Sequence, residues 1–146
     1  MKKIIRPFLI AGLLLVVVLG IALSLNAVAQ NQTRRQMGQE FTIKVGQQAK
    51  LDGADLALKF VGVPQDSRCP ANVNCVWAGN AEVALELVHG ECTSVLTLNT
   101  HAGPSTSSES KVAGFRVKLV KLDPYLHTER KISPSDYVAT LLVTKE

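Results

Sequence analysis

From Glu40 to the end of the chain, apolar side chains recur at every second position and turn formers break the runs at short intervals. This is the pattern of strands with one dry and one wet face. Phe41, Ile43 and Val45 alternate with Thr42 and Lys44 before Gly46, and Leu56, Leu58 and Phe60 alternate with Ala57, Lys59 and Val61 after an Asp52-Gly53 turn signal. Val83, Leu85 and Leu87 alternate with Glu82, Ala84 and Glu86, and after His89-Gly90-Glu91 the stretch Thr93 to Leu98 resumes as a strand. Gly90 can take the positive φ that a tight turn needs, so this pair is expected to form a β-hairpin. Phe115, Val117 and Leu119 face inward opposite Arg116 and Lys118, and Tyr137, Ala139, Leu141 and Val143 close the chain. About seven such strands predict an all-β fold, a single small antiparallel sandwich or barrel, the two being indistinguishable by periodicity. Ser133-Pro134-Ser135-Asp136 is expected to make one helical turn, with the serine as cap and the proline in the first position, and His101 to Ser110 reads as a loop.

The pattern changes completely before Gln30. Lys2, Lys3 and Arg6 precede the uncharged run Phe8 to Leu25, and Ala27-Val28-Ala29 offers small residues where a signal peptidase reads. Residues 1–29 are therefore expected to be a hydrophobic export helix, either a cleaved signal peptide or a retained membrane anchor. As a helix the 18-residue run is about 27 Å long, just short of the roughly 30 Å of bilayer hydrocarbon. In both cases the positive end stays in the cytoplasm and the rest of the chain lies outside: periplasmic, extracellular, or anchored with the domain exposed. Residues 30–39 are polar and read as a tether, leaving 40–146 as one exported β-domain.

Charge adds a restriction. Of 16 basic residues three lie in the leader, against 12 acidic residues that all lie after it, so the formal charge of +4 falls to +1 for the exported part. A nearly neutral exported domain is a poor nucleic-acid binder. The basic side chains Arg116, Lys118 and Lys121 read as the wet face and end of one strand.

One segment breaks the alternation: Asp66-Ser67-Arg68-Cys69-Pro70, followed shortly by Cys75-Val76-Trp77-Ala78-Gly79. Outside the cytoplasm, Cys69 and Cys75 most simply form a disulfide that staples the loop between two strands, and a redox dithiol is the alternative, although its spacing is wider than C-x-x-C. Cys92 is left over as a buried thiol, an exchange partner for the other two, an intermolecular bridge or, with His89 in H-x-x-C spacing, half of a metal site. Two ligands do not make a zinc site, and His101 or His127 would have to join them. If the loop is exposed, Asp66, Arg68 and Trp77 form a recognition surface, because a rigid loop loses little entropy on binding and Trp and Arg are common anchors. If Trp77 is inside, Asp66 caps a turn, Arg68 pairs with it and the ring plugs the core. In a domain with few aromatics the core placement is the expected one.

The elements D-S-R-C-P and C-x-W-x-G, with Gly46-Gln47, Ala49-Lys50-Leu51, Leu56 to Val63 and Leu122-Asp123-Pro124-Tyr125 around them, resemble a group of small uncharacterised bacterial exported β-domain proteins. That resemblance spans nearly all of the exported part. It implies an exported β-domain and carries over no catalytic residues; Cys92 departs from its two-cysteine pattern. The sequence holds no nucleophile elbow, H-E-x-x-H, phosphate-binding glycine loop or paired acid motif, and Glu82 and Glu86 fall on the solvent face. The expectation is thus a non-catalytic binding or interaction module at the bacterial cell envelope, without a cofactor, taking an envelope protein or a small ligand, its N-terminal segment in contact with the membrane. The alternatives are a thiol/disulfide redox protein using Cys69, Cys75 and Cys92, or a metal-binding envelope protein using His89 and Cys92.

Overall fold

The computed structural model describes residues 32–146. The expected signal peptide or anchor, residues 1–29, lies outside the described residues. Among the described residues nine strands form: β1 (Gln32–Gln36), β2 (Glu40–Lys44), β3 (Gln48–Asp52), β4 (Leu56–Asp66), β5 (Ala81–His89), β6 (Cys92–Asn99), β7 (Glu109–Val112), β8 (Phe115–Asp123) and β9 (Val138–Lys145). They make one sheet in the order β1-β3-β4-β5-β6 and a second in the order β2-β9-β8-β7, so the fold is all-β and two-sheeted, not a closed barrel.

Alternation places the core. Leu58, Phe60, Val83, Leu85, Leu87 and Leu98 from the first sheet meet Phe41, Ile43, Val117, Leu141 and Val143 from the second, all buried in one apolar cluster. Along β2, β5 and β9 buried and less buried residues alternate, while β4 buries Leu56, Ala57 and Leu58 in succession. Strand β4 carries irregularities between Phe60 and Gly62 and between Gly62 and Gln65, and β8 carries one between Leu119 and Lys121. The β8 irregularity inserts an extra outward residue and lets Leu119 and Leu122 both point inward.

Two strands lie beyond the expected count of about seven. Residues 32–36 of the segment read as a tether form β1, which pairs in parallel with β3, Gln32 opposite Gln48 through Gln36 opposite Asp52, so the first sheet is mixed and not purely antiparallel. Strand β7 takes up the end of the expected 101–110 loop, pairing Glu109 with Lys118. Both are edge strands and mostly polar, and β3 has only Ala49 and Leu51 inside. The expected helical turn is a 3₁₀ turn, Pro134–Asp136, with Pro134 opening it and Ser133 making no capping bond.

The strand directions define two ends. The β3–β4 and β5–β6 turns and Cys92 occupy one end; the segment 67–80, the 100–108 loop and the 124–137 connection occupy the other. No helix among the described residues is long and apolar enough to cross a membrane.

Candidate functional site: an exposed loop above a buried clasp

Strand β4 delivers Asp66 to the loop end, and Arg68 follows two residues later. Arg68 folds back beneath the loop and is only 5% exposed. Its Nε donates to Asp66 Oδ1 at 2.9 Å and its Nη2 to Asp66 Oδ2 at 2.6 Å, a bidentate pair. The remaining donors cross to the second sheet: Nη1 donates to the Leu122 carbonyl at 2.7 Å and Nη2 to the Pro124 carbonyl at 2.9 Å. Tyr137, just ahead of β9, donates its hydroxyl to Asp66 Oδ2 at 3.0 Å, and the Tyr125 ring lies over the guanidinium at 5.0 Å. One ion pair thus fastens the end of β4 to the end of β8 and the start of β9.

The electrostatics follow from this enclosure. Burial works to raise the Asp66 pKa, but the hydrogen bonds and charge of Arg68, with the Tyr137 hydroxyl, outweigh it and hold the carboxyl below its ordinary value. Tyr137 moves up, from burial first and then from the carboxylate beside it. Asp66 is therefore a firmly ionised counter-ion, and proton-transfer chemistry at neutral pH would need the opposite shift.

Above the clasp the chain makes a hairpin-like neck. Ser67 N–H donates to the Asn80 carbonyl at 2.7 Å and Cys69 N–H to the Ala78 carbonyl at 2.8 Å. Gly79 sits where the two arms touch: at φ +70° a Cβ there would lie 1.9 Å from the Ser67 carbonyl oxygen, so only glycine fits. Asn80 locks the neck sideways, donating from Nδ2 to Asn99 Oδ1 at 2.7 Å and accepting at Oδ1 from the His101 N–H at 3.1 Å. The disulfide Cys69–Cys75 closes the tip, and the tip is clipped to the neighbouring connection by Ala71 N–H to the Leu126 carbonyl at 2.9 Å and Asn72 Nδ2 to Thr128 Oγ1 at 2.6 Å.

The residues singled out from sequence therefore divide. Asp66 and Arg68 are buried and structural, while Trp77 is 82% exposed and Val76 is 90% exposed. The expectation that Trp77 plugs the core is corrected: the clasp, the neck and the staple hold the loop outward, and Leu and Phe side chains already fill the interior. Sequence reading missed Asn80, Tyr125 and the second role of Tyr137. An inward tyrosine demands a partner for its hydroxyl, which was a usable signal; the carbonyls of Leu122 and Pro124 leave no mark in sequence.

The third cysteine stands apart. Cys92 is exposed and free, opposite His89 in the β5–β6 register, and His89 packs edge-on against Phe115 with ring centres 5.5 Å apart. From Ala81 to His89 strand β5 spans the sheet, roughly 26 Å at strand rise, so Cys92 and the staple lie at opposite ends of one molecule. Among the described residues no three His, Cys, Asp or Glu side chains stand together as a metal would need. In comparison with known proteins, the chain matches no family model, no curated protein and no solved structure.

Proposed function

We propose that this is a non-catalytic binding module at the bacterial cell envelope and that the stapled loop is its recognition element. One observation carries this: Val76 and Trp77 are almost fully exposed on a loop held at its neck, its tip and its flank. A large apolar ring facing water on a mobile loop costs little and means little. On a loop fastened this way its exposure is built in, and a preordered anchor loses little entropy when a partner covers it. The leader and the disulfide both fit an oxidising compartment outside the cytoplasm, with 1–29 as the export segment. The kinship with small exported bacterial β-domains carrying D-S-R-C-P and C-x-W-x-G belongs to the same proposal.

The test is photo-crosslinking in the living cell from a photoreactive residue placed at position 76. The proposal expects a discrete adduct that disappears in Trp77→Ala while thermal unfolding is unchanged. Absence of any adduct from position 76 would contradict it.

A further inference from the structure

Each of the two sheets ends in two edge strands, and among the described residues three of the four edges are guarded. On β2 the Thr42 carbonyl accepts from Arg35 Nη2 at 3.5 Å and the Lys44 N–H donates to Gln47 Oε1 at 3.0 Å. On β7 the Ser107 hydroxyl serves both backbone groups of Glu109, donating to its carbonyl at 2.6 Å and accepting from its N–H at 3.2 Å. Strand β1 carries the two charges of Arg34 and Arg35. Charges and covering groups of this kind keep a sheet edge from recruiting another strand. Strand β6 has neither: Cys92–Asn99 reads C-T-S-V-L-T-L-N, without charge or proline, and its register against β5 runs from Cys92 to Asn99 without a bulge.

The hydrogen bonds fix which groups lie bare on that edge. Thr100 N–H donates to the Ala81 carbonyl at 3.0 Å, so along β6 the even-numbered residues turn their backbone groups to β5 and the odd-numbered ones turn theirs away, as an antiparallel ladder requires. Asn99 agrees, its N–H donating outward to the Ser107 carbonyl at 2.8 Å. Thr93, Val95 and Thr97 therefore face the open edge with both N–H and C=O, and no group among the described residues bonds to them. Their side chains stand exposed on the outer face, Val95 at 76%. The spacing Thr-x-Val-x-Thr is a palindrome about Val95, which a second copy matches and an arbitrary strand does not. Laid antiparallel with a two-fold axis at Val95, Val95 meets the partner's Val95 and Thr93 meets the partner's Thr97. Each such pair exchanges both hydrogen bonds, and every outward β-branched side chain lies beside another. Charge does not oppose the match: Glu86, beside Val95 on β5, is opposite Lys59 on β4, and it would stand three strand spacings, about 14 Å, from its own copy. We propose that β6 pairs edge to edge with β6 of a second copy of this chain, antiparallel about Val95, joining the two five-stranded sheets into one. This goes beyond the reading of the stapled loop and does not depend on it.

An edge pairing this short forms and separates, so the test traps it covalently in the full chain. Thr93→Cys, Val95→Cys and Thr97→Cys are made singly in a Cys92→Ser background, and intact producing cells are treated with copper phenanthroline before non-reducing electrophoresis. Directly opposed residues of a hydrogen-bonded pair lie about 5.5 Å apart at Cα, within the span of a disulfide, whereas position 93 or 97 lies four residues, about 14 Å along the strand, from its own copy. Val95→Cys should therefore give a reducible dimer at twice the chain mass, roughly tenfold more of it than either threonine variant gives. Thr93→Cys and Thr97→Cys together should restore the dimer. Adding Val95→Pro to that pair removes an outward N–H and no bond to β5, so the dimer should disappear with thermal unfolding little changed. No dimer from Val95→Cys, equal yields at the three positions, or a dimer that survives Val95→Pro overturns the inference, and each of these leaves the stapled loop's role untouched.

Discussion

Arg68→Ala removes the centre of the clasp, and its cost can be worked from the structure. Four side-chain hydrogen bonds disappear, two to Asp66 and one each to the carbonyls of Leu122 and Pro124, together with the contact under Tyr125. The Asp66 carboxylate is left buried with only Tyr137 and the backbone N–H of residue 68 as donors. Breaking a buried ion pair by deleting one partner costs about 3–5 kcal/mol, because the surviving charge stays desolvated. An exposed pair would cost under about 1 kcal/mol. For the unit Gln32–Glu146 the entropy of unfolding is about 0.24 kcal/mol/K, so a loss of about 4 kcal/mol lowers Tm by roughly 16 °C. The assay is urea and thermal unfolding of wild type, Arg68→Ala, Asp66→Ala and the double variant. The midpoint should fall far at constant m-value, and the double variant should lose much less than the two singles added together. A loss below about 1 kcal/mol for Arg68→Ala, or simple additivity, would refute the clasp as the fastening of the loop end.

Four further outcomes follow from the same geometry. Trp77→Ala should change unfolding free energy by no more than about 0.5 kcal/mol, since the ring touches little, as urea titration would show. Gly79→Ala should cost roughly 2 kcal/mol or more by the same titration, because both its φ of +70° and the Ser67 carbonyl oppose a side chain. Replacing Cys69 and Cys75 together by serine should cost about 2–3 kcal/mol for so short a loop, with most of the added amide exchange confined to 67–80. The pH dependence has a defined sign: Asp66 titrates lower in the folded state, so its contribution is complete above the ordinary unfolded value of about 3.9 and is lost as pH falls through the lowered folded value. Stability measured from pH 5 downward should therefore fall more steeply in wild type than in Asp66→Asn.

Much of the fold is written in the period-two pattern, and its gaps have a physical cause. Phe41 and Ile43, Leu56 to Phe60, Val83 to Leu87, Phe115 to Leu119 and Ala139 to Val143 all bury the residues that alternation assigns inward. Alternation records only which face is wet, so β1, with Thr33, Arg34 and Gln36 all exposed, carries no such signal and exists because β3 offers it an edge. The loop was harder to read. Asp66 and Arg68 look like a solvated pair locally, and their burial depends on carbonyls 54 and 56 residues from Arg68. Composition favoured an interior for the single tryptophan, yet a residue's placement is set by what the backbone can reach. Here the neck at Gly79 and the staple point Trp77 outward.

The D-S-R-C-P and C-x-W-x-G elements divide into a buried clasp and an outward-facing anchor. Acrylamide quenching of Trp77 in the folded protein, without lipid, tests it most directly. Water-like emission and a quenching constant nearly unchanged on unfolding in urea are expected of a ring that is 82% exposed. A blue-shifted, protected tryptophan that becomes accessible only when the protein unfolds would contradict it.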